Sequence, residues 1–485
     1  MDTKLWSKGY QLEPLIERFI AERNAVLDAN LARYDVLGSL AHARMLCRVG
    51  LLDEHEWLAL DATLRTLLSE IERGDLAPAT ADEDIHTLIE RVLVERLGPT
   101  GKRIHTGRSR NDQVLVDLRL YAKESLLRIA SKVVETAAAL AAVAQRHEWT
   151  PMPGYTHMRR AMLSSVGLWA AAYTEALLDD LTALSAAYVL NDQSPLGSAA
   201  AYGVPLPLDR AYVARLLGFS RTHHNVLAAA NARGKCEAAV VQALALVMLD
   251  LSKWAQDALL FTTSEYGFFT APPELCDGSS IMPQKHNPSA LELVRARAHT
   301  VVALQGQMLS TLAGLPSGYN MDYQETKAPL MDAVRICEDS LSVVQLFVER
   351  LHVHPERLRD ACTAELFAAD RAYELVSAGM PFRDAYQQAA AVPDALEPGD
   401  LRARLTARAH EGAPGNLGLA DLRTRLGYER AIWDERRSHL DGALAALASG
   451  SPELSLSAIP DSSADLITSD SGNGFTHGSS VVLGI

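Results

Sequence analysis

The segment LRLYAKESLLRIASKVVETA, residues 118–137, carries the pattern that decides the fold. Its apolar residues recur at three- and four-residue spacing, namely Leu118, Tyr121, Leu126, Ile129, Val133 and Ala137. That spacing places apolar side chains on one face of an α-helix. No proline occurs between Thr100 and Thr150 to interrupt it. The sequence therefore predicts one long helix here.

Three further windows also lack proline, namely residues 154–194, 208–271 and 289–315. They are rich in Ala, Leu, Glu, Arg and Gln, which favour helix, whereas alternating β-branched runs bounded by turns do not recur. The apolar window 238–249 has almost no polar face, which is typical of a helix inside a bundle. We predict a mainly α fold built on a long central helical bundle.

The chain is long enough, at 485 residues, for more than one domain. We expect an N-terminal helical domain at residues 1–108, a central long-helix domain at 109–355 and a small helical domain at 356–447. Residues 448–485 are rich in Ser, Gly and Asp and poor in aromatic residues, a composition typical of a disordered tail.

Charge and cysteine content exclude several classes of partner and cofactor. The net charge of −14 repels nucleic acid and anionic membranes, so we expect neither as a partner. The five cysteines are scattered without CxxC spacing, and the N-terminus has no apolar core of signal-peptide type, which together favour a cytoplasmic protein with reduced thiols. No His or Cys cluster has ligand spacing and no glycine-rich phosphate loop occurs, so we expect no metal and no organic cofactor.

Residues 278–288, GSSIMPQKHNP, have the composition of an active-site loop. Two prolines stop a helix from running through the segment. Within it, Ser279 offers a hydroxyl for proton transfer, Lys285 a point charge and Asn287 an amide that can donate to a carboxylate. Taken alone, the segment would be explained more simply as a polar surface loop.

Residues 104–113, IHTGRSRNDQ, directly precede the first long helix. Asn111 or Asp112 can act as its N-cap, and the free amides of the first turn form an anion site beside Arg110. A carboxylate would bind there. An ordinary capped helix start, without a ligand, explains the isolated segment as well.

Residues 153–157, PGYTH, end a proline-bearing turn, after which we expect a long helix to open. Thr156 can donate to a substrate carboxylate, and His157 can carry a proton because its unperturbed pKa is close to neutral. A single histidine is more often structural, so the segment alone does not decide its role.

Together these segments resemble the argininosuccinate lyases of the aspartase/fumarase superfamily. The resemblance lies in GSSIMPQKHNP, in HTGRSRNDQ at residues 105–113 and in GYNMDYQETK at residues 318–327, and it covers roughly residues 4–390. It implies a three-domain fold and a homotetramer around a twenty-helix core, with each active site built from three chains. It also implies β-elimination of N-(L-arginino)succinate to fumarate and L-arginine.

The resemblance assigns roles by position. Ser279 would be the base, and His157, oriented by Glu292, the acid or its water relay. The residues that would hold the developing negative charge are Lys285, Asn287, Thr156, Ser109 and Asn111, with Arg110 beside them. The residues that match positions holding the amino-acid end of the substrate are Tyr319, Gln324 and Lys327. For Asp84 and His86 a structural role is at least as well supported as substrate contact.

Two departures from the family pattern leave the identity of the released amine undecided. Arg159 and Met162 stand where the family usually has glutamines, so a related lyase that releases fumarate from another N-succinyl amine is the alternative. A non-catalytic, crystallin-like protein is disfavoured, because Ser279, Lys285, Asn287 and His157 are all present.

Overall fold

The computed structural model describes residues 13–76, 84–391 and 398–450, so most of the predicted tail lies outside the described residues. Helices dominate these ranges, which confirms the prediction of a mainly α fold. In chain order, helices α1 to α17 are Pro14–Asp28, Ala32–Arg48, Glu54–Glu72, Ile85–Leu97, Pro99–Lys102, Arg110–Arg146, Val166–Asn191, Arg210–Leu216, Val226–Asn231, Lys235–Phe261, Ser289–Leu312, Lys327–Arg350, Pro355–Asp360, Ala368–Ser377, Phe382–Ala390, Leu401–Thr406 and Leu419–Ser449.

The remaining regular structure is short. Strands β1 to β8 are Pro151–Thr156, Arg159–Ser165, Gln193–Ser194, Arg221–Thr222, Phe269–Thr270, Asp277–Gly278, His286–Asn287 and His352–Val353. They form four two-stranded pairs, of which β3–β4 is parallel and β1–β2, β5–β8 and β6–β7 are antiparallel. Four 3-10 turns lie at Arg103–His105, Pro273–Leu275, Met321–Thr326 and Ala364–Phe367.

Five long helices, α6, α7, α10, α11 and α12, form the central bundle, and successive members run in opposite directions. At the end where α6 begins, which we call the Ser109 end, α7 finishes and α10 starts, since Asn191 Nδ2 donates to the Cys236 carbonyl at 3.2 Å. The end of α11 lies there too, because a Cβ at Gly234 would fall 2.3 Å from Leu312 Cδ2.

The opposite end of the bundle is the hairpin end, named for the pair β1–β2 (residues 151–165). Tyr155 of the hairpin lies beside Phe261, the last residue of α10, with ring centroids 6.4 Å apart. The start of α11 is also there, since Arg295 donates to Gln256 Oε1 at 2.6 Å. The loop that precedes α11, residues 278–288, therefore belongs to the hairpin end.

Helix α10 is the one described helix that is long and apolar enough to cross a membrane, with a mean hydropathy of 1.5 over its best window. In the bundle, however, 61% of that window is buried, as in the core helix of a folded bundle. The predicted buried window 238–249 is largely enclosed, but Leu246 and Leu249 remain 42% and 51% exposed. A strip of α10 is thus left without a partner in the single chain.

One local prediction is wrong. A helix does not open after His157; residues 151–165 form the β1–β2 hairpin, and α7 begins at Val166. His157 and Met158 both have positive φ, 51° and 61°, the conformation of a two-residue turn between antiparallel strands. The helix starts where Ser165 can cap it, its Oγ accepting from Leu168 N at 3.0 Å.

Candidate active site

The first turn of α6 is built as a capping box. Ser109 is the N-cap, since its Oγ accepts from Asn111 N at 3.3 Å, while Ser109 N donates to Asp112 Oδ1 at 2.9 Å. The sequence prediction of Asn111 or Asp112 as N-cap is therefore wrong by two or three residues. Because Ser109 caps the helix, the side-chain amide of Asn111 is not needed for capping and can face a ligand at the positive end of the helix.

Asp112 joins this helix start to a loop that sequence analysis missed, residues 195–204, which we call the small-residue loop. The second carboxylate oxygen of Asp112 accepts from Gly197 N at 2.9 Å and from Ala199 N at 2.8 Å. Ala199 and Ala201 have φ of 53° and 77°, which non-glycine residues rarely adopt. The buried carboxylate thus holds strained backbone against the start of α6.

An open cleft of about 560 Å³ lies between the start of α6 and the small-residue loop. Its lining residues are His105, Arg108, Ser109, Arg110, Asn111, Ala199, Ala200, Gly203 and Val204. Burial, followed by the charges of Arg108 and Arg110, lowers the pKa of His105 to about 4. The cleft is therefore positive without His105 being charged, and it suits a carboxylate. We call it the α6 cleft.

Arg110 is held in place from α4. Its guanidinium pairs with Asp84 Oδ2 at 3.3 Å and donates to Thr87 Oγ1 at 3.0 Å. Asp84 is also the N-cap of α4, accepting from Thr87 N at 2.8 Å. The structural role weighed for Asp84 is the one that this geometry supports.

A narrow cavity of about 10 Å³, room for about one water molecule, adjoins the α6 cleft, because Asn111 lines both. Its lining residues are Asn111, Leu115, Ala201, Ala230, Arg233 and Tyr319. At this inner pocket Gln324 Nε2 donates to Tyr319 Oη at 3.2 Å, and Arg233 donates to Gln324 Oε1 at 3.3 Å. The structure thus brings Asn111, Tyr319 and Gln324 together within one chain.

Lys327 differs from these neighbours. It is 1% exposed, and its ammonium donates to Asp28 Oδ1 at 2.5 Å, on a carboxylate that is equally buried. Burial lowers the pKa of Lys327, which Asp28 partly offsets. An ammonium has three N–H donors, so Lys327 could donate to Asp28 and to a ligand together, and its role at the substrate stays a prediction.

Next to this pair lies a buried group that spacing in the sequence did not reveal, Asp35, His86 and Asp117, whose ligand atoms all fall within 4.8 Å of one another. Such a group could hold a metal ion, although His86 Nδ1 already bonds to Asp35. Burial, followed by the charges of Asp35 and Asp28, raises the pKa of Asp117 well above its usual value, and Lys327 and Arg108 lower it by less. Fixed positive charge from the protein thus already faces the carboxylates, which favours a structural role for His86.

The loop 278–288 is closed by backbone pairing. Strands β6 and β7 pair Asp277 with Asn287 and Gly278 with His286. Inside the loop, Ser279 Oγ accepts from Ile281 N at 3.3 Å and from Met282 N at 3.1 Å. Two amide donors on the hydroxyl oxygen stabilise negative charge there, which is what a serine base requires.

His157, Thr156 and Glu292 are all exposed in the single chain. Among the described residues, no hydrogen bond or ion pair joins His157 to Glu292, or either of them to Ser279. The predicted pairing of His157 with Glu292 is therefore not formed within one chain, and it stays a prediction for an assembly.

The predicted site residues fall into two groups at opposite ends of the bundle. Ser109 lies at one end of α6, and the hairpin with His157 follows the other end. Helix α6 has 37 residues, and at 1.5 Å per residue it spans about 55 Å. No side chain bridges that distance, so neither end of one chain contains the whole predicted site.

Sequence analysis missed two further features of the inner pocket. Arg233 is 2% exposed and lines the cavity, but a single arginine before a helix gives no signal of its own. Tyr202 is 75% exposed, and its Oη lies 3.5 Å from where a Cβ at Gly318 would stand, next to Tyr319. The signal that could have drawn attention to it is the run GSAAAYG at residues 197–203, small residues around one aromatic ring.

Comparisons with known proteins agree with this architecture. A family described as lyase matches residues 15–303. Among solved structures, EDDS lyase in complex with formate has a TM-score of 0.78 at 24% identity, covering 91% of this chain and 95% of that one. A class II fumarase from Schistosoma mansoni has a TM-score of 0.64 at 15% identity, covering 86% and 91%. The chain is a member of this lyase family, and it has that fold.

Relatives in sequence show which family of lyases the chain belongs to. The argininosuccinate lyase of Sorangium cellulosum (strain So ce56) is 45% identical over 426 residues, 88% of this chain and 99% of that protein. The argininosuccinate lyase of Thermotoga neapolitana is 42% identical over 390 residues, 80% of this chain and 98% of that protein. The chain therefore belongs to the argininosuccinate lyases, which are carbon–nitrogen lyases.

Proposed function

We propose that the protein cleaves N-(L-arginino)succinate by β-elimination and releases fumarate and L-arginine, as a step of arginine biosynthesis in the cytoplasm. The observation that carries the chemistry is the geometry of the loop 278–288. Its strand pairing fixes Ser279 with two amide donors on Oγ, and Lys285 and Asn287 lie in the same short segment.

The elimination needs three groups. Ser279 takes the proton from Cβ, and the electron pair left on carbon is delocalised into the adjacent carboxylate. Lys285 and Asn287 hold the second negative charge that this creates. The C–N bond then breaks, and the departing nitrogen takes a proton from His157 or from a water that His157 activates.

The substrate would lie across the Ser109 end of the bundle. The succinyl half suits the α6 cleft, where Ser109, Arg110 and Asn111 offer donors and positive charge. The amine half would then extend to the inner pocket, since Asn111 lines both cavities, and would meet Tyr319 and Gln324 once the pocket widens to admit it. Ser279 and His157 must reach this substrate from elsewhere.

We infer that they come from other copies of the chain in a homotetramer. The separation of about 55 Å along α6 supports this, because a single chain holds only part of the site at each end. The unpartnered apolar strip supports it too. Exposed residues on α10 and α11 are Leu246, Leu249, Leu293, Val302 and Leu309, each at least 42% exposed.

The direct test of the function is release of fumarate, followed by its ultraviolet absorbance, with argininosuccinate as substrate. We expect turnover with argininosuccinate without added metal or organic cofactor. Failure of the wild-type enzyme to release fumarate from argininosuccinate, while another N-substituted aspartate is cleaved, would replace the proposed substrate.

That second candidate, a lyase for another N-succinyl amine, rests on the hairpin. Arg159 and Thr156 are backbone partners across the turn, so a cationic residue lies next to a residue that is predicted to bind a substrate carboxylate. Met162, 41% exposed, lies on the same strand. Assays of N-substituted aspartates with neutral, basic and acidic amine halves, run beside argininosuccinate, separate the two candidates.

The family resemblance implies that each site takes Ser279 and His157 from different chains, so we expect recovery of activity when two inactive variants are mixed. We expect co-assembled Ser279→Ala and His157→Asn chains to regain activity, because about a quarter of sites in randomly mixed tetramers would receive both intact segments. Fumarate release by the mixed tetramers, isolated by two affinity tags, measures the effect.

The matched control is a mixture of Ser279→Ala with Lys285→Met. Both changes lie in one loop, which reaches each site from a single chain, so this mixture should stay inactive. Equal recovery in both mixtures, or none in either despite verified mixing, contradicts sites shared in this way.

A further inference from the structure

The inner pocket contains a buried cation, Arg233, that forms no ion pair at 4.0 Å or less among the described residues, although the buried Glu237 lies near it. Arg233 is 2% exposed, and its Nε has no hydrogen-bond partner among the described residues. Its guanidinium donates to one neutral group, the Gln324 amide oxygen, at 3.3 Å. A guanidinium has five N–H donors in a planar fork, so most of its capacity is unused.

Nearby acidic residues do not fill this capacity. Glu237 and Asp28 are close enough to raise the pKa of Arg233, against the larger lowering effect of burial. Within the part of the chain that the structure describes, however, neither carboxylate forms an ion pair with Arg233 at 4.0 Å or less, and Asp28 already binds Lys327. A buried charge without a hydrogen-bonded counter-ion is costly, so a ligand carboxylate that pairs with Arg233 would offset that cost.

The rings beside Arg233 hold its guanidinium in place. Its Cζ lies 5.3 Å from the centroid of the Tyr319 ring and 5.8 Å from that of Tyr323. Such contacts fix the plane of a guanidinium without using its N–H donors. The fork is thus oriented in advance at the wall of the cavity that Asn111 and Tyr319 also line.

We propose that Arg233 binds a carboxylate on the amine half of the substrate, and so determines that the enzyme accepts amines that carry such a group. The inference rests on the proposed function and deepens it. Asn111 joins the two cavities, so the succinyl carboxylates occupy the α6 cleft while the third carboxylate reaches Arg233. An arginine–carboxylate pair in this setting is charge-assisted and bidentate.

The test compares L-arginine with agmatine, which differs from it by the carboxylate alone, as the amine added to fumarate in the reverse reaction. For the wild-type enzyme we expect kcat/KM with L-arginine to exceed that with agmatine by about 10- to 100-fold, the size of a hydrogen bond to a charged group. In Arg233→Met this preference should vanish, chiefly through a higher KM for L-arginine.

Arg119 provides the matched control. It is also fully buried and has unpartnered donors, and it donates to the Leu190 carbonyl at 3.0 Å, but it lines neither cavity. Arg119→Met should keep the wild-type ratio of L-arginine to agmatine.

Retention of the wild-type ratio by Arg233→Met would overturn the proposal. Should that variant fail to fold, Arg233→Lys, which keeps the charge but loses the planar fork, should reduce the ratio several-fold, and an unchanged ratio would overturn the proposal equally. Absence of any wild-type reaction with argininosuccinate instead counts against the proposed substrate. The role of Arg233 is then tested by the shift in melting temperature that fumarate plus L-arginine, or fumarate plus agmatine, produces. Equal shifts in the wild type and in Arg233→Met would contradict the role of Arg233.

Discussion

Replacing Ser279 by Ala should lower kcat for fumarate release by at least about a hundredfold, the usual contribution of a positioned acid or base. The hydroxyl oxygen accepts from Ile281 N and Met282 N and is not part of the core, so the loss should leave assembly and substrate binding intact. Steady-state kinetics together with the sedimentation profile of the variant measure both effects.

Ser280 in the same loop is the control, because its hydroxyl has no hydrogen-bond partner among the described residues. Ser280→Ala should lose far less activity than Ser279→Ala. Near-normal turnover of Ser279→Ala would show that another group removes the Cβ proton, even if the rest of the site is correct.

Replacing Lys285 by Met should reduce kcat about a hundredfold or more while KM changes little, since removal of one electrostatic donor from a site of developing charge has that size. The second negative charge appears only after the Cβ proton has left, so the ammonium acts more strongly in the transition state than on bound substrate. Kinetics of the variant over a range of argininosuccinate concentrations separate kcat from KM.

Lys285→Arg keeps the charge in a different shape and should recover part of the lost rate. A change in KM alone for Lys285→Met would indicate uniform binding of substrate and transition state. Lys285 would then be a residue that binds the ground-state carboxylate.

The sequence was sufficient to predict the helices because proline placement and apolar spacing are local signals. Helix α6, Arg110–Arg146, contains the whole segment 118–137 from which a long helix was predicted. The N-cap was misplaced because Ser109, Asn111 and Asp112 are all good capping residues, and only the contact of Asp112 with the small-residue loop decides between them.

The hairpin was not predicted because its strands have no alternating apolar pattern. Its turn has positive φ at His157 and Met158, and neither residue type indicates that conformation in the sequence. The burial of individual polar side chains was harder to predict than the secondary structure. Lys327 was predicted at the substrate, yet its pairing with Asp28 spans 299 positions of chain. Arg233 became a candidate only through the cavity that it lines, since long-range packing has no local signature.

The length of α6 has a consequence for how the enzyme would behave in solution. A dissociated chain would carry an incomplete site at each end of a bundle about 55 Å long, and neither could complete the other. Catalytic capacity would then be a property of chain concentration, governed by mass action. Specific activity should fall on dilution into the range of the assembly constant, and it should return on concentration without any chain having unfolded.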